Sequence, residues 1–297
     1  MFIFALSVSI FAQQMQQQTE PFVELNLWGK NPPGMIDGAC SGADDGTGRV
    51  RNVGIPGILV YLPEAASQAD SRAISSSAPQ QKIENKIALI VCPGGGFTHL
   101  TRLVGADGAV DSFLPGNVAV ISLKYRTQPP SADIQAATLA DGKRAVRLVR
   151  QNAEKWNIDP RKIGMLGWSA GANLALNVAT HFDAGNPDAS DPVEHESSRP
   201  DFVVLLSPWP AKRTIADFPV KPDAPPAFIG SAKDDKTAPV VFAEAIAQSY
   251  KQAGAKFSLL EVETGEHAAF TINAPGEGGK WIERFWPWLK EIGIRAE

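Results

Sequence analysis

From about residue 57 onward, short apolar runs alternate with longer periodic stretches, and few architectures accept that rhythm. A strand buried on both faces reads as an unbroken apolar run, and the crossover between two parallel strands needs a dozen or more residues, usually helical. The runs at 57–62, 87–92, 118–123, 162–166, 202–206, 227–229 and 257–262 fit such strands. Between them, a stretch centred on 136–149 sets Leu139, Val146 and Val149 among Lys143, Arg144, Arg147 and Arg150, the mark of a helix with one face on a sheet. Residues 240–253 and 281–292 read the same way. The pattern predicts an α/β fold built from βαβ units around a mostly parallel sheet. Segments 67–81 and 183–200 lack periodicity and read as surface loops. No repeat or linker divides the chain, so residues 13–297 are expected to form a single domain.

Several function classes are disfavoured at once. The chain has 297 residues, 44% of them hydrophobic, which suffices to close a core. Its formal charge is -4, from 28 Lys+Arg against 32 Asp+Glu, with no basic stripe for a phosphate backbone, so nucleic acid is not an expected partner. Two cysteines, Cys40 and Cys92, cannot make a disulfide framework, and their spacing from each other and from the histidines matches no common zinc pattern. Residues 2–12 are nearly all apolar and lead into Gln13, Gln14, Met15, Gln16, Gln17 and Gln18, as the core and cleavage zone of a secretory signal would, although no Lys or Arg precedes them. A signal peptide over residues 1–12 and export to the periplasm or beyond are the corresponding expectations, the alternative being a frayed apolar N-terminus on a cytoplasmic protein. No stretch approaches the ~18 consecutive apolar residues of a membrane span.

Chemistry concentrates where the run at 162–166 passes through Gly167-Trp168-Ser169-Ala170-Gly171 into a helix-forming segment. A serine on a tight turn between strand and helix projects its hydroxyl from the carboxyl edge of a parallel sheet, and the flanking glycines let backbones pass closely. Ser169 is therefore the candidate nucleophile, with the Ala170 N–H facing a developing oxyanion. Upstream, the apolar run at 87–92 feeds Pro93-Gly94-Gly95-Gly96-Phe97, where Gly95 and Gly96 are candidate oxyanion donors. Among His99, His181, His195 and His267, the order nucleophile, acid, base selects His267, just past the last run. His181 falls at the end of the helix behind Ser169, His195 in a polar loop, and His99 close to the glycine loop. The acid should follow the run at 227–229, where Asp234 and Asp235 stand side by side and only one can reach the histidine.

Taken together, these pieces resemble the α/β-hydrolase superfamily, and within it the acetylxylan-esterase-like branch with a Pro-Gly-Gly-Gly loop. The likeness spans roughly residues 25–288 and includes Leu27-Trp28-Gly29-Lys30-Asn31-Pro32-Pro33-Gly34, Leu123-Lys124-Tyr125-Arg126, Asp141 with Arg144 to Arg147, and Asn157-Ile158-Asp159-Pro160-Arg161. The resemblance implies an eight-stranded, mostly parallel sheet with helices on both faces. It also favours Asp235 over Asp234, because the branch's acid is followed three residues later by Val and then Pro, and Ala238-Pro239 fits that frame. Phe97, Glu266 and Ala268 stand where relatives commonly carry Tyr, Gly and Gly.

The parts imply acyl transfer to water without a metal or organic cofactor: Ser169 attacks, His267 moves the proton, Asp235 orients the ring. Phe97 and Trp209 are candidate substrate contacts, Trp209 lying just past the run at 202–206. The resemblance favours removal of small O-acyl groups, acetyl above all, from a carbohydrate such as xylan or its oligosaccharides. A general carboxylesterase and an arylformamidase-like amidase are the alternatives within enzymes. A non-catalytic carbohydrate-binding relative is the alternative outside them.

Overall fold

Six parallel strands run side by side in one sheet, and the loops that build the site follow five of them. The computed structural model describes residues 23–29, 32–34, 41–63, 86–101, 108–128 and 133–295, so the apolar run at 2–12, the loop at 67–81 and Cys40 lie outside the described residues. The main sheet has eight strands in the order β1-β4-β7-β5-β8-β9-β10-β11. They are β1 (Val23–Asn26), β4 (Gly57–Tyr61), β5 (Lys86–Cys92), β7 (Val118–Lys124), β8 (Ile158–Trp168), β9 (Phe202–Leu206), β10 (Ala227–Ala232) and β11 (Phe257–Val262). β4 pairs antiparallel with both β1 and β7, while every pair from β7 to β11 is parallel. A smaller antiparallel sheet joins β2 (Ser41–Asp44), β3 (Arg49–Val53) and β6 (His99–Thr101).

The centre of the sheet follows from its sequence. β5 and β7 are buried at every residue, which is why they read as unbroken apolar runs. Helices α1 (Ala109–Phe113), α2 (Ile134–Gln151), α3 (Ala170–His181), α4 (Val240–Ala253) and α5 (Trp281–Glu291) cover it. Asp133 starts α2 by accepting a 3.0 Å hydrogen bond from the Ala136 N–H, an N-cap that frees the helix from the preceding chain. Gly142 lets α2 lie against α3, since a Cβ there would come within 2.6 Å of Val178 Cγ2. Elsewhere Phe113 of α1 meets Trp281 and Phe285 of α5, which in turn pack on Phe202 and Phe228 of the sheet. These tilted and edge-on ring pairs add to the stabilisation from the area they bury.

Two expectations need correction. β8 begins at Ile158 rather than Lys162, because its pairing with β5 shifts register between Lys86 and Ala88 and absorbs the turn-like Asp159-Pro160. Arg144 and Arg147, expected among the polar residues of α2, are instead buried. They reach the segment at 183–200, Arg144 to Asp191 (2.6 Å) and Glu194 (2.8 Å), Arg147 to Asp183 and to Glu194 (2.9 Å). That segment has the predicted irregular course, apart from a turn of 3-10 helix at Pro192–His195, and ion pairs fasten it to the helix.

Candidate active site

Ser169 joins β8 to α3 with φ 56 and ψ -118, a backbone state that is rare for a residue with a side chain. Its N–H donates to the Leu206 carbonyl at 3.0 Å, tying the turn to the end of β9. The two flanking glycines are sterically required. A Cβ on Gly167 would lie 2.1 Å from the Gly171 carbonyl oxygen, and one on Gly171 would lie 1.9 Å from the Cys92 carbonyl oxygen.

The glycine loop passes against that turn. A Cβ on Gly94 would approach Ser169 Cβ to 3.4 Å, and Gly95, Gly96 and Phe97 all have positive φ, at 129, 60 and 60. The loop's carbonyls face inward: Gly95 O accepts from the Thr98 and His99 N–H groups, and Gly94 O from the Thr101 N–H. Among the described residues, no acceptor pairs with the N–H of Gly95, Gly96 or Ala170. Tyr125, buried, donates its hydroxyl to the Pro93 carbonyl at 2.6 Å and anchors the start of the loop.

His267 and Asp235 complete the line. His267 Nε2 is 2.9 Å from Ser169 Oγ, and Nδ1 is 2.7 Å from Asp235 Oδ2. A carboxylate at Nδ1 holds the ring proton there and leaves Nε2 to accept from the serine hydroxyl. The Asp235 side chain is 0% exposed, and its other oxygen accepts from the Thr237 and Ala238 N–H groups, both at 2.8 Å. Asp234 takes no part in this line. It accepts instead from the Gly265 N–H (3.1 Å) and the Glu266 N–H (2.8 Å), the two amides just before the histidine.

The remaining residues singled out from the sequence fall as follows. Trp209 is fixed by its backbone, its N–H donating to Ser169 O (3.3 Å) and its carbonyl accepting from Asn173 Nδ2 (2.9 Å). The Phe97 ring is 3% exposed and packs on Tyr125 and Trp209, so it backs the tryptophan rather than facing solvent. His181 ends α3, and His195 Nε2 lies 2.8 Å from Ala189 O in the polar segment. His99 lies beside the glycine loop with Nδ1 3.0 Å from Thr98 Oγ1. Partial burial, with Arg51 and Arg49 nearby, lowers its pKa. Three contacts had no sequence signal: Tyr125 on Pro93, Asp234 on the histidine loop, and Trp168 Nε1 donating to His267 O at 3.4 Å. A Tyr or Trp in an apolar run gives no sign of which carbonyl it will meet.

Known proteins share this arrangement of chain. The BD-FAE family matches residues 77–205. An acetyl ester-xyloside bifunctional hydrolase from Caldicellulosiruptor lactoaceticus is 27% identical, with a TM-score of 0.71 over 94% of this chain and 99% of that one. Esterase 2 of Thermogutta terrifontis shares the fold at 22% identity and a TM-score of 0.64, over 90% of this chain and 95% of that one. In sequence, the chain is 29% identical over 212 residues to endo-1,4-beta-xylanase B of Butyrivibrio fibrisolvens, which covers 62% of this chain and 33% of that protein. It is 26% identical over 235 residues to an acetylxylan esterase of Xylanibacter ruminicola, covering 69% of this chain and 44% of that protein. The chain thus spans a third to under half the length of these curated relatives. The chain has the α/β-hydrolase fold. It is similar to an acetylxylan esterase and to an acetyl ester-xyloside hydrolase.

Proposed function

We propose that the protein is a serine esterase that removes acetyl and other small O-acyl groups from xylan or its oligosaccharides. The observation that carries the reading is the unbroken line from Ser169 Oγ through His267 to Asp235, at 2.9 and 2.7 Å. In the proposed reaction, Ser169 Oγ bonds to the ester carbonyl carbon while His267 Nε2 takes its proton. The N–H groups of Gly95, Gly96 and Ala170 stabilise the oxyanion, and collapse expels the sugar oxygen, which leaves as a hydroxyl by taking the proton from His267. Water, deprotonated by the same nitrogen, then attacks the acyl-serine, releasing acetate and restoring Ser169. Asp235 keeps the imidazole in the right tautomer and stabilises its cation.

The carbohydrate is supported by the relatives rather than by the geometry. The Caldicellulosiruptor protein is described as an acetyl ester-xyloside hydrolase and the Xylanibacter one as an acetylxylan esterase. Trp209, held over the elbow by its backbone, offers a ring for a sugar face. Acetate release from acetylated xylo-oligosaccharides, measured beside 4-nitrophenyl acetate and N-formylkynurenine for the protein and its Ser169→Ala variant, tests the reading. Ser169-dependent acetate from the oligosaccharide is expected. Turnover of N-formylkynurenine in preference to both esters would replace it with an amidase.

A further inference from the structure

We propose that Asp234 is a positioning residue for His267, acting through the backbone of the histidine loop while its neighbour Asp235 acts on the ring. The proposal rests on the serine-esterase reading and names a residue on which that chemistry depends.

The loop before the histidine is in an uncommon state. Gly265 has φ 133 and Glu266 φ 52, the latter in the left-handed region that disfavours a residue with a side chain. Such a conformation persists only where its surroundings over-determine it. Asp234 supplies that constraint, one carboxylate oxygen accepting from the Gly265 N–H at 3.1 Å and the other from the Glu266 N–H at 2.8 Å. Hydrogen bonds to an ionised acceptor are stronger than neutral ones, and two of them fix orientation as well as distance.

The acid loop is itself fastened to the sheet. Lys233 N–H donates to Val262 O at 2.9 Å, and Asp235 N–H to Ala232 O at 3.2 Å. Asp234 therefore links a rigid strand end to the two residues immediately before the histidine. Together with the Trp168 Nε1 contact to His267 O on the other side, it sets where the imidazole sits between Ser169 and Asp235. A charge with no bearing on the loop would not need both oxygens on consecutive amides.

The test compares Asp234→Ala and Asp234→Asn with wild type and Ser169→Ala, measuring kcat and KM on 4-nitrophenyl acetate across the range where histidine titrates, together with thermal midpoints. For Asp234→Ala we expect kcat lower by about tenfold, with KM within about twofold, because small displacements of a catalytic group act on the chemical step. The thermal midpoint stays near wild type. Asparagine, whose single amide oxygen can accept from only one of the two N–H groups while its NH2 faces the other, recovers part of the loss, and the acid limb of the pH profile does not move. Wild-type kcat in Asp234→Ala would overturn the proposal. So would an Asn variant as slow as the Ala one with both acid limbs displaced to lower pH, since that assigns the effect to charge. If the alanine protein does not fold, Asp234→Ser replaces it in the same comparison. Should wild type turn over the ester no faster than Ser169→Ala, the esterase reading falls and this proposal with it. A Ser169-dependent wild type beside an unimpaired Asp234→Ala defeats the positioning role alone.

Discussion

Gly171, in the first turn of α3, passes so close to the end of β5 that a Cβ on it would lie 1.9 Å from the carbonyl oxygen of Cys92. The strand that feeds the glycine loop and the helix that follows Ser169 are thus in backbone contact, and neither can move without the other. Gly171→Ala forces them apart. Overpacking of this kind costs ~1–3 kcal/mol, so a lower urea midpoint is expected, with kcat down by more than about tenfold as the oxyanion donors separate. A variant with wild-type midpoint and kcat would contradict that coupling.

Tyr125→Phe isolates one hydrogen bond. The ring stays to pack against Phe97, but the Pro93 carbonyl loses its 2.6 Å donor. A buried carbonyl left unpaired costs ~1–3 kcal/mol, and the loop it anchors carries Gly95 and Gly96. The expected outcome is a several-fold lower kcat with KM little changed, read by steady-state kinetics. Burial, with Cys92 nearby, holds the phenol pKa well above its ordinary value, so this donor is not expected to titrate in an absorbance scan through pH 10.0.

The parallel part of the sheet and the serine turn were legible because burial on both faces and close backbone approach each leave a mark in sequence: apolar runs for β5 and β7, glycines at 167 and 171. The small sheet was not legible. β2 and β3 are short and rich in polar residues, only Val53 of β3 is buried, and their sheet is completed by a strand of three residues. The choice between Asp234 and Asp235 could not be made from the residues alone, since both face the histidine segment. The family frame of Ala238 and Pro239 favoured Asp235, and the structure gives that spacing a physical basis, because the Ala238 N–H donates to Asp235 Oδ1. Burial of the α2 arginines was hidden for a different reason: their partners lie 36 to 50 residues away, beyond any local pattern.

The buried pair Arg126 and Asp141 makes a stability prediction. Arg126 Nη2 lies 2.7 Å from Asp141 Oδ1, with the side chains 2% and 0% exposed, and Trp28 Nε1 donates to the same carboxylate at 3.1 Å. Replacing Asp141 by Asn strands a buried guanidinium, at a cost of ~3–5 kcal/mol. Equilibrium unfolding measures it. A loss below about 1 kcal/mol, the range of exposed pairs, would mean that the pair is hydrated in solution.

Asp183 makes a prediction about acid. Burial opposes its ionisation, but Lys143, the Gly185 N–H and Arg147 outweigh that and bring its pKa from 3.8 down to about 2. A depressed folded-state pKa contributes stability that is present above 3.8 and is lost as pH falls through about 2. Wild type is therefore expected to exceed Asp183→Asn in thermal midpoint near neutral pH, with the difference closing over that window. The carboxylate is 42% exposed, so the difference is small. A gap that persists to the lowest pH would assign the effect to packing.

The central claim is that Ser169 becomes acylated. The direct measurement is rapid acid quenching of the protein during turnover of 4-nitrophenyl acetate, followed by peptide mapping for an acetyl group. We expect acetyl on Ser169 in wild type, none in Ser169→Ala, and a kcat lower on the order of 10⁴-fold in Asp235→Asn, where the ring's tautomer is no longer held. Turnover with no acyl-Ser169 trapped, or turnover that survives Ser169→Ala, would contradict it.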